Sequence, residues 1–217
     1  MNNLSFIQQL VIWIPPVLFA ITVHETAHGF IAYKLGDPTA MMLGRLTLNP
    51  IKHIDPVGTV LLPIIMLWQF NFVFGWAKPV PVTWENLKSP KRDMALVALA
   101  GPASNLVMAL LWAAVMKTGY LLGPDFYWLS SVMVPMGDAG IFINTILMML
   151  NLVPIPPLDG SRVVSGLLPG PWAWKFSRIE PYGLFILLAL LISGILWKIL
   201  SVPTQLFIRF IHLLFGL

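Results

Sequence analysis

The stretch that most constrains this chain is His24-Glu25-Thr26-Ala27-His28-Gly29, because it is set inside an uncharged, apolar run. Residues four apart share one face of a helix, so His24 and His28 point the same way and can grip one metal ion. Glu25 lies beside them, placed to act on a metal-bound water. Residues 17–23 before the motif and 30–33 after it carry no charge. Two imidazoles and a carboxylate in such a helix are costly unless paired or metal-bound. The competing account is a chance match on a helix that buries its histidines for packing. The chain has only four His, and the tightness of the motif and the expense of its setting argue against chance.

The apolar setting extends to the whole chain. Of its 217 residues, 58% are hydrophobic and 10% charged, and the mean hydropathy is +0.82. Soluble domains carry roughly a quarter charged residues. The composition therefore predicts an all-α, polytopic membrane protein whose surroundings are the lipid bilayer rather than a nucleic acid. Residues 1–9 lack the positive region of a signal peptide, and the length suggests one membrane domain over 1–217 with no appended soluble domain. The absence of Cys removes thiolate ligands, so any metal site must use His and carboxylate.

Taken in order, residues 1–14 end at Pro15-Pro16, which predicts a helix starting at Pro16 and running 20 residues to Leu35. Residues 41–48 alternate weakly and read as a short strand or hairpin. His53, between Asn49-Pro50 and Asp55-Pro56, reads as a turn residue more readily than as a third ligand. Residues 59–74 are apolar but short for a span and interrupted by Pro63, which suggests a re-entrant segment. Trp76-Ala77-Lys78-Pro79-Val80-Pro81-Val82 reads as extended. The basic cluster at residues 88–92 reads as a solvated membrane flank. Spans follow at 94–116, where Asn105 suits a helix-to-helix hydrogen bond, and at 181–197, with another helix between them at 139–153. Residues 201–215 carry Gln205, Arg209 and His212 on one face, a pattern suited to lying on the membrane surface. Asp159, in a proline-rich unwound stretch, reads equally well as a third metal ligand or as a helix cap.

HETAHG in a membrane helix with NLVPIPPLDG far downstream resembles the site-2 proteases, zinc metalloproteases that cut within membranes. GRLTLNPIKHIDPVG, GWAKPVPV and ALAGPASN also resemble that family, so the likeness covers residues 17–164, with helices 181–217 beyond that core. It implies that His24, His28 and Asp159 bind one zinc ion and that Glu25 is the catalytic base. It further implies that Asn151 orients substrate or the oxyanion, and that the substrate is a transmembrane protein. The PDZ and CBS domains many members carry are absent from the sequence. A ZIP-type metal transporter or a metal-binding scaffold is the alternative, but a transport path needs further His or Asp ligands.

Two imidazoles and one carboxylate leave a fourth zinc position for water. For Asp159 to reach the histidines, the 94–116 span must start on the Lys34 side. Lys34, Arg45, Lys52, Lys78, Lys88, Lys91, Arg92, Arg162, Lys175 and Arg178 then fall on one face. These are ten of the thirteen basic residues, which predicts a plasma-membrane protein with its active site towards the cytoplasm.

Overall fold

The computed structural model describes residues 5–61, 65 and 75–217, and all of its regular structure is helical. The principal elements are α1 (Phe6–Lys34), α2 (Thr39–Met42), α3 (Pro90–Leu121), α4 (Tyr127–Asn151), α5 (Asp159–Leu167), α6 (Gly170–Ser177), α7 (Glu180–Ile192) and α8 (Ile195–Phe215). Four of these, α1, α3, α4 and α8, are long and apolar enough to cross a membrane. Their outward faces stay apolar: Phe19 is 52% exposed, Val107 55% and Leu206 59%. Surfaces of that kind suit lipid rather than water. The chain is a polytopic helical membrane protein, as its composition predicts.

The contacts fix the directions of the helices. His24 and His28 of α1 meet Asn105 and Val97 of α3, in reversed order, so α1 and α3 are antiparallel. The Lys88 amide donates to the Leu35 carbonyl at 3.2 Å, which brings the approach to α3 beside the end of α1. Asn105 also reaches Asn144 of α4. At the far end of α3, Lys117 Nζ donates to the Gly216 carbonyl at 3.0 Å, placing a cation where the carbonyls of α8 are left without helix partners. Trp112, Met116, Ile141 and Ile211 pack where α3, α4 and α8 meet.

Several expectations change. α1 does not begin at Pro16 but runs unbroken through Pro15 and Pro16 from a Ser5–Gln8 capping box. The prolines forfeit the bonds to Val11 and Ile12, while burial of Ile12 and Pro16 keeps this turn packed on the bundle. No strand forms over residues 41–48. The Arg45 amide turns back to the Ala40 carbonyl, Gly44 takes φ +63°, and the Thr47 carbonyl is spent on side chains. The expected 181–197 span is instead the 13-residue α7, stopped by Gly194 at φ +70°. The last helix is longer than expected, 21 residues from Ile195, and it packs Ile211 into the bundle. The re-entrant reading of residues 59–74 falls mostly outside the described residues; Thr59 to Leu61 finish a π-helical turn begun at Pro56.

Candidate metal centre

His24 and His28 lie one turn apart on α1, and Asp159 arrives as the first residue of α5. Their Nε2 atoms are 3.1 Å apart, and each is 3.3 Å from Asp159 Oδ2. The other side of each ring is committed. His28 Nδ1 is 2.7 Å from the Val97 carbonyl, which can only accept, so Nδ1 carries the proton. His24 Nδ1 donates to Asn105 Oδ1 at 2.6 Å. The orientation of the Asn105 amide is fixed because its Nδ2 donates to the Ala20 carbonyl at 3.2 Å and to Asn144 Oδ1 at 3.0 Å. Asn144 in turn donates to the Gly140 carbonyl.

With the Nδ1 atoms committed as donors, the Nε2 atoms are the ones a neutral imidazole turns to a metal. Asp159 Oδ2, buried and without a hydrogen-bond partner, is the third potential ligand atom. Three potential ligand atoms converging within 3.3 Å make a donor set that one metal ion can bridge. Tetrahedral zinc with ligands at about 2.0–2.1 Å sets those ligands about 3.3 Å apart, so the spacing fits. Among the described residues this is the only group of three potential ligands that converges in this way. Asp159, which the sequence left open between ligand and cap, therefore faces the two histidines.

α3 contributes the back of the site. Val97, Gly101 and Asn105 recur every four residues and form one stripe against α1. A Cβ on Gly101 would sit 2.4 Å from His28 Nε2 and 2.5 Å from His24 Cε1, so only glycine lets α3 lie against both rings. Asn105 makes the expected helix-to-helix bond and, through it, fixes a ring nitrogen. The signal that would have identified its second role is this four-residue repeat, read against the repeat of the histidines.

Glu25 is held from another direction. Its Oε2 accepts the Val80 amide at 2.9 Å, from the irregular stretch that carries Pro79 and Pro81. Arg45 is buried and donates through Nη2 to the carbonyls of Lys78 at 2.9 Å and Pro79 at 3.4 Å. The Lys78 amide donates to the His53 carbonyl. Thr26, inside the HExxH motif, lies 2.8 Å from the Thr47 carbonyl. His53 Nε2 donates to the same carbonyl at 2.9 Å, so His53 is the turn residue anticipated and stands apart from the metal group. Asp37 anchors the start of this stretch. Burial pushes its carboxyl up, but donors from Asn86, Thr39 and Thr83 outweigh that and hold it below the usual range. Asn151 ends α4, its Nδ2 donating to the Leu147 carbonyl at 3.0 Å.

Comparison with known proteins gives relatives along most of the chain. "Putative zinc metalloprotease YwhC" of Bacillus subtilis is 37% identical over 203 residues, covering 91% of this chain and 88% of its own. "Putative zinc metalloprotease Rip2" of Mycolicibacterium smegmatis is 29% identical over 191 residues, 88% of this chain and 70% of its own. "Putative zinc metalloprotease MJ0611" of Methanocaldococcus jannaschii is 36% identical over 126 residues, 55% of this chain and 58% of its own. No protein-family model and no solved structure matches.

Proposed function

This chain belongs to the zinc metalloprotease family of YwhC, and from that premise we propose that it is an intramembrane endopeptidase of the site-2 type. The observation that carries the proposal is the convergence of three potential metal ligands, from His24, His28 and Asp159, beside Glu25 in a membrane-length apolar helix. Those three residues would hold one zinc ion per chain, with residues 16–164 forming the catalytic core. Bound there, zinc would polarise the scissile carbonyl and acidify water.

The chain's own groups supply the rest. Glu25 takes a proton on its carboxylate and returns it to the leaving amine. The Val80 amide fixes one oxygen of that carboxylate, which limits the rotation of the side chain and leaves the other oxygen for the proton. The hydrogen bonds to Val97 and Asn105 keep both imidazoles aimed at the cleft. A transmembrane substrate hides its backbone in helix hydrogen bonds, so it must unwind to be cut. The stretch carrying Pro79 and Pro81, next to Glu25, offers a non-helical backbone along which an unwound segment can lie. Asn151, at the end of α4, is assigned to orienting the substrate or the developing oxyanion. A metal transporter is the weaker reading, since no second ligand group forms among the described residues.

Glu25→Gln tests the assignment: zinc content should stay at the wild-type level while cleavage of a reconstituted transmembrane substrate is lost. Cleavage by this variant near the wild-type rate would remove Glu25 as the base. The proposed orientation has the active site towards the cytoplasm in the plasma membrane. Single-cysteine labelling should then find Asn49→Cys and Lys88→Cys reactive only from the cytoplasm and Asp125→Cys only from outside. Labelling of Lys88→Cys from the outer face would overturn that orientation.

A further inference from the structure

A cavity of about 420 Å³ opens between the start of α3, α5 and α6, where many of the basic residues gather. That volume lies within the roughly 300–1,000 Å³ of ligand pockets. Its lining combines an apolar wall, from the part-buried Met94 and Phe176 and the exposed Trp174, with the cations Lys91 and Arg162. The Arg162 guanidinium stacks 4.9 Å over Trp84, and Arg178 stacks 3.9 Å over Trp174. Lys91 Nζ donates to the Leu168 carbonyl. Glu180 is the one acid on the wall, 3.6 Å from Arg162. Both partners are exposed by a third or more, so the pair is weak and a better anion can displace it.

We propose that this cavity binds an anionic phospholipid, with the phosphate between Lys91 and Arg162 and the upper acyl chain against Met94 and Phe176. A free phosphate would leave the apolar wall uncovered, and a zwitterionic lipid would neutralise its own charge before meeting the two cations. The cavity lies where basic and tryptophan side chains meet the ends of membrane-length helices, the level at which headgroups sit. It shares a wall with the metal centre without being part of it: Pro156, Ser161 and Arg162 line it, and Asp159 lies between them in the chain. A bound lipid would therefore restrain the segment that delivers Asp159. The proposal rests on the membrane location alone, so it can fail while the protease reading stands.

The test reads lipid rather than cleavage. The full zinc-loaded chain, purified in detergent with phosphatidylglycerol or phosphatidylcholine, is weighed by native mass spectrometry. Phosphatidylglycerol should be retained in preference, and Lys91→Gln/Arg162→Gln should weaken that retention roughly 30-fold, from the typical worth of two interfacial cations. Lys175→Gln/Arg178→Gln, whose cations stack on Trp172 and Trp174 and do not line the cavity, should lower it far less. Equal retention of the two lipids would overturn the proposal, as would an equal loss in both double variants. Displacement of the lipid by inorganic phosphate would reassign the cavity to a soluble anion, and displacement by a soluble acidic peptide would reassign it to a protein segment. Photoactivatable phosphatidylglycerol on the unaltered chain gives a reading independent of variant folding. Cross-links should concentrate on Met94, Trp174 and Phe176; cross-links spread evenly over α8 with none in the cavity would sink the idea.

Discussion

Inside the bundle, His24 and His28 face Val97, Gly101 and Asn105 across two antiparallel helices, each contributing one residue every four positions. Between α1 and α3 the chain reaches Glu25 by a different route, through loops whose bonds run from side chain to backbone: Arg45 to Lys78 and Pro79, His53 and Thr26 to the Thr47 carbonyl, Asp37 to Thr83 and Asn86. The first region places the proposed histidine ligands by helix period and the second places the proposed base by individual bonds. The two should fail differently. Damage in the bundle should cost metal, and damage in the loops should cost turnover while metal stays.

The sharpest contrast is between two buried or partly buried aspartates. Asp159→Ala removes one of the three proposed ligands and should abolish zinc retention, with cleavage falling to background. Asp37→Ala sits in the loop region, where the carboxylate accepts from Thr39, Thr83 and Asn86. Its loss orphans those donors and should lower stability by about 1–3 kcal/mol, yet the folded fraction should carry zinc in full. Zinc content measured on monodisperse protein separates the two outcomes. Equal zinc in Asp159→Ala and wild type would break the division at its strongest point.

Asn105→Leu should come next in size. It keeps the branched shape of the side chain but removes the acceptor for His24 Nδ1, and it leaves Asn144 Oδ1 without its donor. Loss of an outer partner of this type typically costs about 10–100-fold in metal affinity. Zinc competition with a chelator should show that drop, and excess zinc should restore cleavage. Wild-type affinity in this variant would mean that packing alone orients the ring.

How far the sequence could be read follows the same division. The histidine pair and the span of α3 were legible because helix period and hydrophobic length are local properties, whereas α4 begins at Tyr127, twelve residues before the helix expected at 139–153. Asp159 was legible as a carboxylate in an unwound stretch, but its role needed α4 to return it to the Lys34 end of α1. The strand expected at residues 41–48 failed because weak alternation says nothing of distant partners, and here Thr47 gives its carbonyl to Thr26 and His53. The Pro15-Pro16 break failed because two lost hydrogen bonds were weighed without the packing around Ile12 and Pro16. The role of Arg45 was invisible, since its acceptors lie more than thirty residues away and are backbone carbonyls.

Arg45 therefore gives the finest test, with the smallest expected effect. A buried guanidinium with no carboxylate among its described partners, and with Nε unpartnered, is expensive to keep. What it accomplishes is local: it holds the carbonyls of Lys78 and Pro79, and the next amide, of Val80, is the one that grips Glu25. Pro79 and Pro81 have no amide hydrogen to offer instead, so a shift of this stretch cannot be made good by a neighbouring donor. Arg45→Gln is too short to span both carbonyls and should let Val80 move off Glu25, lowering kcat roughly tenfold or less. KM should rise as kcat falls, because the same stretch is proposed to seat the substrate, while zinc should not change, because among the described residues 45 and 78–80 make no hydrogen bond to His24, His28 or Asp159. Arg45→Lys keeps a donor on a long stem and should recover part of the loss. Zinc lost together with activity in Arg45→Gln would show that the loops support the metal after all, and the separation between the two regions would not hold.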